Sequence, residues 1–319
     1  MSRAGTLGIA LIAGAACTSS PAVEHRVPPD EPFVVVLGVA QDGGVPQTGD
    51  WDHPGWQDSA QTERVSSLGF VDPSSGTALL FDATPDLPEQ TAHLHRVGAR
   101  ALPHIFLTHA HMGHYTGLMH VGNEETGASD VPVYAAPRMA AFLRSDGPWS
   151  QLVAYGNIAL KEQIPDSTEV TIGPFSVTSF RLPHREEYSE VVGYRIQGPQ
   201  KAVLFIPDID SWEDWDAWGV RIEDLIAGVD HAYLDATFFD DGELPGRDMS
   251  AIPHPRIRGS MDRFAALPET ERRKVRFIHL NHTNPALRPG PERDEVFSRG
   301  FAVAERGEMF GLGANPSGS

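Results

Sequence analysis

The sequence predicts one α/β sandwich, and three observations predict it. Short apolar, β-branched runs recur along the chain, helical stretches fall between some of them, and no shift in composition divides the chain after residue 32. Some runs follow one another across short turns and others across helices, the pattern of sheets covered by helices. The 319 residues admit a single large layered domain, or two at ~150 residues each, and the sequence shows no boundary for a second.

Taken in order, Phe33–Val39 (FVVVLGV) is apolar throughout, as a strand buried on both faces must be. Further strands are expected at Ser67–Val71, Ala78–Asp82, His104–Thr108, Val131–Ala135, Glu169–Ile172, Ser176–Leu182, Val191–Ile196, Ala202–Ile206, His231–Leu234 and Val275–Leu280. Helices are expected at Pro85–Val97, Arg138–Arg144, Ile222–Ala227 and Gly259–Leu267. The first would be capped by Thr84, with Pro85 in its first turn. Trp212, Trp215 and Trp218 recur at helical spacing and are expected to pack one helix face into the core. His93 and His95, two apart on a helix, diverge and are read as structural or surface residues.

The first segment stands outside this domain. An apolar run from Leu7 to Ala16 is too short to span ~30 Å of hydrocarbon, and it leads directly to Cys17, the only cysteine of the chain. This arrangement resembles a bacterial lipoprotein signal, which implies a signal peptide over 1–17 and acylation of Cys17. Residues 18–31 (TSSPAVEHRVPPDE) read as a linker, and 32–319 as the folded domain. The protein is then expected to be exported, periplasmic or membrane-anchored, and to meet the membrane only through its lipid.

Composition excludes several classes. A 40% hydrophobic content with 15 Phe, 6 Trp and 6 Tyr is that of a folded chain. With 43 acidic against 25 basic side chains the net charge is −18, which argues against nucleic acid; the partner expected is a small-molecule substrate. One cysteine permits neither an internal disulfide nor a thiolate zinc knuckle. The 14 histidines are numerous, and three fall within six residues.

Those three carry the chemistry. The strand HIFLT, 104–108, runs straight into His109-Ala110-His111-Met112-Gly113-His114. On a turn leaving a strand, side chains at such spacing can converge on one point, and imidazole suits zinc or iron. A lone histidine would be unremarkable, but three together point to a metal.

The segment LTHAHMGHYTGL resembles the His-x-His-x-Asp-His motif of the metallo-β-lactamase superfamily, and that resemblance implies an αββα sandwich with metals at the sheet edges. It also implies later ligands in order. His184 follows the strand ending Arg181-Leu182-Pro183, Asp208 ends Val203–Pro207 as the bridging carboxylate, and His279 and His282 end Phe277–Leu280. Within the superfamily the stretches GVAQDGGVPQ (38–47), TPDL (84–87), PWSQL (148–152), DATFFDDGE (235–243) and HLNHTNP (279–285) resemble the pyrroloquinoline quinone biosynthesis protein B group. That group usually carries a cysteine cluster after the Pro-Gln step, where this chain has Thr48–His53 and no cysteine.

Gly113 departs from the motif, which has an aspartate there as a ligand of a second metal. The expectation is a second site formed by His114, Asp208 and one or both of His279 and His282, the extra imidazole replacing the missing carboxylate. Asp42 is a candidate proton acceptor or an orienting carboxylate, alternatively a turn residue bonding its own backbone. His254 is a candidate general acid, alternatively a plain loop histidine. Asp82 is expected either to orient a ligand histidine or simply to end its strand.

The function expected is metal-assisted hydrolysis of an ester, lactone, amide or phosphodiester. A divalent cation on neutral imidazoles would supply hydroxide near neutral pH, with Asp208 holding both metal and attacking water. Zinc, as one or two ions, is the expected cofactor, with Fe(II) and Mn(II) open. Two alternatives stand beside it: an iron-dependent oxygenase, implied by the group resembled, and a non-catalytic metal-binding lipoprotein.

Overall fold

A computed structural model describes Met1 and residues 28–314; the expected signal peptide, Cys17 and most of the linker lie outside the described residues. Fourteen strands form two seven-stranded mixed sheets. The first contains β1 (Phe33–Gly38), β2 (Ser67–Asp72), β3 (Thr77–Phe81), β4 (His104–Phe106), β5 (Val131–Ala135), β6 (Ile158–Glu162) and, beside β1, the last strand of the chain. The second contains β7 (Glu169–Ile172), β8 (Phe175–Arg181), β9 (Val192–Gln197), β10 (Ala202–Ile206), β11 (His231–Asp235), β12 (Val275–Ile278) and β13 (Ala302–Val303). That last strand, β14, spans Met309–Gly311.

Each sheet is half antiparallel and half parallel. In the first, β1, β2 and β3 alternate and β3 to β6 run parallel. In the second, β7 to β10 alternate and β10 to β13 run parallel. Hence β1, β3 and β4 share a direction, as do β8, β10, β11 and β12. Open α/β sheets collect ligands just beyond such C-terminal ends.

Helices cover both outer faces: α1 (Leu87–Arg96), α3 (Pro137–Ser145) and α4 (Trp149–Ala154) on the first sheet; α5 (Trp212–Ala217), α6 (Ile222–Ala227), α7 (Ile257–Arg263) and α9 (Pro291–Ser298) on the second. The short α2 (Met112–Tyr115) and α8 (Glu269–Arg272) complete them. β1 is buried along its whole length, as its unbroken apolar sequence requires. Between the sheets, Phe81 stands 5.1 Å from Tyr194 and 6.2 Å from Phe205, edge-on to both. Replacing Phe81 by alanine is expected to cost about 3–5 kcal/mol, read from urea unfolding; a loss below about 1 kcal/mol would place the core elsewhere.

Several expectations shift. The first helix starts at Leu87, not Pro85, because the Thr84 hydroxyl accepts from Asp86 N at 3.1 Å and donates to Gln90 at 2.8 Å, closing a turn ahead of the helix. Trp212 and Trp215 are buried, but Trp218 is exposed with Arg181 5.9 Å from its ring. β6, β13 and β14 went unpredicted: β6 is a half-exposed edge strand and the other two have two and three residues. Among the described residues no helix is long and apolar enough to cross a membrane.

Candidate metal centre

The segments leaving β1, β3, β4, β8, β10, β11 and β12 meet along one edge, where Gln41 N donates to Leu280 O across the two sheets at 2.8 Å. Three groups of facing ligand atoms form there.

The first joins His109, His111, His184 and Asp208, whose ligand atoms all lie within 4.8 Å of one another. His109 Nε2 and His184 Nε2 stand 3.3 and 3.2 Å from Asp208 Oδ2, and His111 Nδ1 lies 2.8 Å from His109 Nε2. The second joins His114, His279 and Asp42: each Nε2 lies 3.3 Å from Asp42 Oδ1. Asp208 Oδ2 sits between the two groups, 3.8 Å from His114 Nε2. The third joins Asp208, Asp235 and His254, whose Nδ1 is 2.9 Å from Asp235 Oδ2 and 3.1 Å from Asp208 Oδ1.

On each of the five imidazoles of the first two groups, the nitrogen turned away from the centre is held by another side chain. Thr108 Oγ1 meets His109 Nδ1 at 2.9 Å, Glu187 meets His111 Nε2 at 3.1 Å and Asp82 meets His114 Nδ1 at 2.7 Å. Asp210 meets His184 Nδ1 at 2.6 Å, and Thr237 Oγ1 meets His279 Nδ1 at 3.0 Å. The two threonines are themselves anchored, Thr108 donating to Asp82 at 3.0 Å and Thr237 to Asp235 at 2.8 Å. Outer partners of this kind fix which nitrogen faces a metal and how the ring lies. Asp82, His254 and His279 also hold positive φ of 67, 113 and 65°, a backbone cost that the surrounding contacts must offset.

The donor set fits a divalent cation. His114 Nε2 and Asp208 Oδ1 are buried without a hydrogen bond, although Asp42 and His254 stand close to them, and a buried polar atom without a partner is costly. Imidazole and carboxylate together suit zinc or iron. Burial holds His109 well below the usual imidazole value, with His114 adding to it. Burial lowers His114 too, but the Asp82 and Asp42 carboxylates outweigh it and hold that ring well above the usual value. For Asp42 burial acts upward, and the His114 and His279 imidazoles beside it bring it well below the ordinary carboxylate value. Asp208 is lowered against its burial in the same sense, chiefly by His184 and His254. At His254 burial is overcome by Asp235 and Asp208, which raise it to about 10.

Eight of the residues singled out from the sequence meet here: Asp42, His109, His111, His114, His184, Asp208, His254 and His279. Asp82 holds His114, the first of its two expected roles. His282 does not join them. Its Nδ1 lies 3.4 Å from Asp50 Oδ2, on the loop whose backbone Asp50 O accepts from Trp56 Nε1 at 2.6 Å. In the group around His114 the place expected of an imidazole is taken instead by Asp42, and for a steric reason. A Cβ built on Gly113 would lie 2.5 Å from Asp42 Cγ and 2.6 Å from its Cα and Cβ. The missing side chain leaves the room that Asp42 fills.

Sequence reading missed Thr108, Glu187, Asp210, Asp235 and Thr237. Their signal was position alone: each lies within about three residues of a strand end or of a ligand candidate. Replacing Asp82 by asparagine, which tolerates the same backbone, is expected to weaken metal binding at His114 about 10–100-fold. Competition against a chromophoric chelator measures it, and unchanged affinity would remove Asp82 from that role.

Comparison with known proteins gives a consistent set. A β-lactamase superfamily domain model matches residues 77–280. Coenzyme PQQ synthesis protein B of Methylorubrum extorquens is 28% identical over 318 residues, covering 88% of this chain and 99% of that protein. Among solved structures, Zn(2+)-bound PqqB from Methylobacterium extorquens superposes with TM-score 0.71 at 24% identity, over 88% of this chain and all of that one. A diphosphatase from the PhnP family superposes with TM-score 0.62 at 20% identity, over 88% and 96%.

Proposed function

The chain belongs to the β-lactamase superfamily, and from that premise we propose that it is a metal-dependent hydrolase, acting on an ester, lactone, amide or phosphodiester bond of a small molecule. The observation that carries this reading is the set of five imidazoles, each aimed by a separate outer partner at two adjacent points that share Asp208. Structural packing does not require five such orientations at one edge.

A divalent cation in this cradle supplies Lewis acidity, toward a water and toward the substrate's electrophilic oxygen. His109, His111, His184 and Asp208 would hold it at the first point; Asp42, His114 and His279, with Asp208 shared, at the second. The rest is this chain's own work. Asp208 Oδ2 faces both points and can accept a proton from the attacking water. His254 engages both carboxylates through Nδ1, which leaves Nε2 to donate to a leaving group. Glu187 is exposed and holds His111 from the solvent side. The net charge of −18 favours a substrate that is not polyanionic.

A panel of chromogenic esters, lactones, anilides and phosphodiesters tests this on the zinc-loaded protein, with chelator-treated protein as the control. Metal-dependent turnover of one class supports the reading, and turnover of none ends it. One observation favours a second reading, an iron-dependent oxygenase: Asp42, His114 and His279 are two imidazoles and one carboxylate, a set that also suits non-haem Fe(II). Iron rather than zinc after anaerobic purification, with oxygen uptake on substrate addition, would decide for it.

A further inference from the structure

Away from the metal cradle, α1, the turn between β13 and β14, and the loop after β12 border an open-sided cavity of about 760 Å3, within the range of small-molecule sites. Its charge runs against that of the chain. Arg64, Arg96, Arg293 and Arg306 line it, against the acids Glu63 and Glu305. Four guanidiniums less two carboxylates leave +2 in a protein of net charge −18.

Two of the arginines are answered. Arg293 pairs with Glu305 at 2.8 Å, and Arg306 Nε stands 3.3 Å from Glu63, which Arg288 shares at 3.2 Å. Arg64 and Arg96 are not: among the described residues no carboxylate lies within 4.0 Å of either guanidinium. Arg64 is half-buried, so its charge is partly stripped of water with no carboxylate in direct contact among the described residues. Burial and the neighbouring Arg306 both disfavour that charge, and Glu89 and Asp86, which line an adjoining recess with Arg64, oppose them. His93, facing the same space from α1, reports the same field: burial, then Arg96, Arg64 and Arg306, pull its imidazole down to about 4. The remaining wall is apolar, from Val39, Val97, Leu287 and Met309.

We propose that this cavity binds an amphiphilic anion, a single carboxylate or phosphate on an apolar body, with Arg64 and Arg96 supplying the counter-charge. Guanidinium forks pair with either oxyanion through two parallel hydrogen bonds, and the valine, leucine and methionine walls accept the body. An adjoining recess of about 300 Å3 shares Glu63, Arg64 and Arg306 with the cavity and extends to Asp42 and Gly43. The cavity is therefore separated by this one recess from Asp42 and the turn that presents it to the metal cradle.

Calorimetric titration of the full-length protein with hexanoate, hexyl phosphate, inorganic phosphate and hexylamine tests this, with and without chelator. Expected is one equivalent of hexanoate or hexyl phosphate, the tighter of the two naming the head group, weaker inorganic phosphate and no hexylamine. Arg64→Gln and Arg96→Gln should each weaken binding at least fivefold, and together beyond tenfold, with metal content unchanged. Arg64→Lys, which keeps the charge, should lose less. Equal affinity in Arg96→Gln, an exposed position whose replacement leaves the core intact, would overturn the proposal. So would binding that vanishes with chelator, which would place the anion on the metal, or hexylamine binding as well as hexanoate.

Discussion

Replacing His109 and His111 together by alanine is expected to remove one metal equivalent and to lower turnover by about a thousandfold or more. Two of the four facing ligand atoms of the first group disappear, leaving His184 and Asp208 alone. Two ligands do not hold zinc against water and buffer, since structural and catalytic sites use three or four protein ligands. The catalytic loss follows from the Lewis acid, worth several kcal/mol, with each ~1.4 kcal/mol a factor of ten. The fold should survive, because both histidines follow the end of β4 and the inter-sheet core of Phe81, Tyr194 and Phe205 does not involve them. Elemental analysis after gel filtration, with far-UV circular dichroism as the folding control, reads the outcome. A double variant that retains its full metal content would move the metal away from this edge.

Much of this centre was legible in the sequence because metal chemistry is local in residue type. Three histidines within six residues after a strand, then His184, Asp208 and His279 each just past a later strand, mark out without any structure most of the side chains that converge at this edge. The parallel strands explain why: residues far apart in sequence share an edge whenever their strands run the same way. The partners behind the imidazoles were less legible. Thr108 and Thr237 are common strand-end residues, and only their 2.9 and 3.0 Å contacts separate them from turn formers. Glu187 and Asp210 lie among many acids in a chain with 43 of them. His282 misled for the opposite reason. It sits three residues from His279, on the right segment, but the chain turns at Asn281 to Asn284 and carries it to Asp50. The fold was read well where strands are long and buried, and missed at β13 and β14, which are too short to show a period.

Moving the carboxylate back to the motif should move the second metal site with it. Asp42 and a side chain at position 113 compete for one volume, since a Cβ on Gly113 would lie within 2.6 Å of Asp42 Cα, Cβ and Cγ, and real Cβ atoms do not approach that closely. Asp42→Gly is therefore expected to reduce bound metal from near two equivalents towards one, leaving His114 and His279 without their carboxylate. Gly113→Asp alone should also lose metal, because the new side chain displaces Asp42 without having room to settle. The double variant should recover much of the second equivalent. Two of the three clashing atoms leave with the Asp42 side chain, and the third lies in what becomes a Gly-Gly-Gly turn, free to yield by the ångström needed. A relocated carboxylate keeps two anions, Asp42 and Asp208, facing the two points, where an imidazole in its place leaves one. Metal counting on the four proteins, together with the visible spectrum of the cobalt-substituted forms, reads ligand identity independently of turnover. An Asp42→Gly protein that still binds two equivalents would show that Asp42 is not a ligand, and a Gly113→Asp protein that binds both ions as tightly as the parent would show that the two positions do not exclude one another.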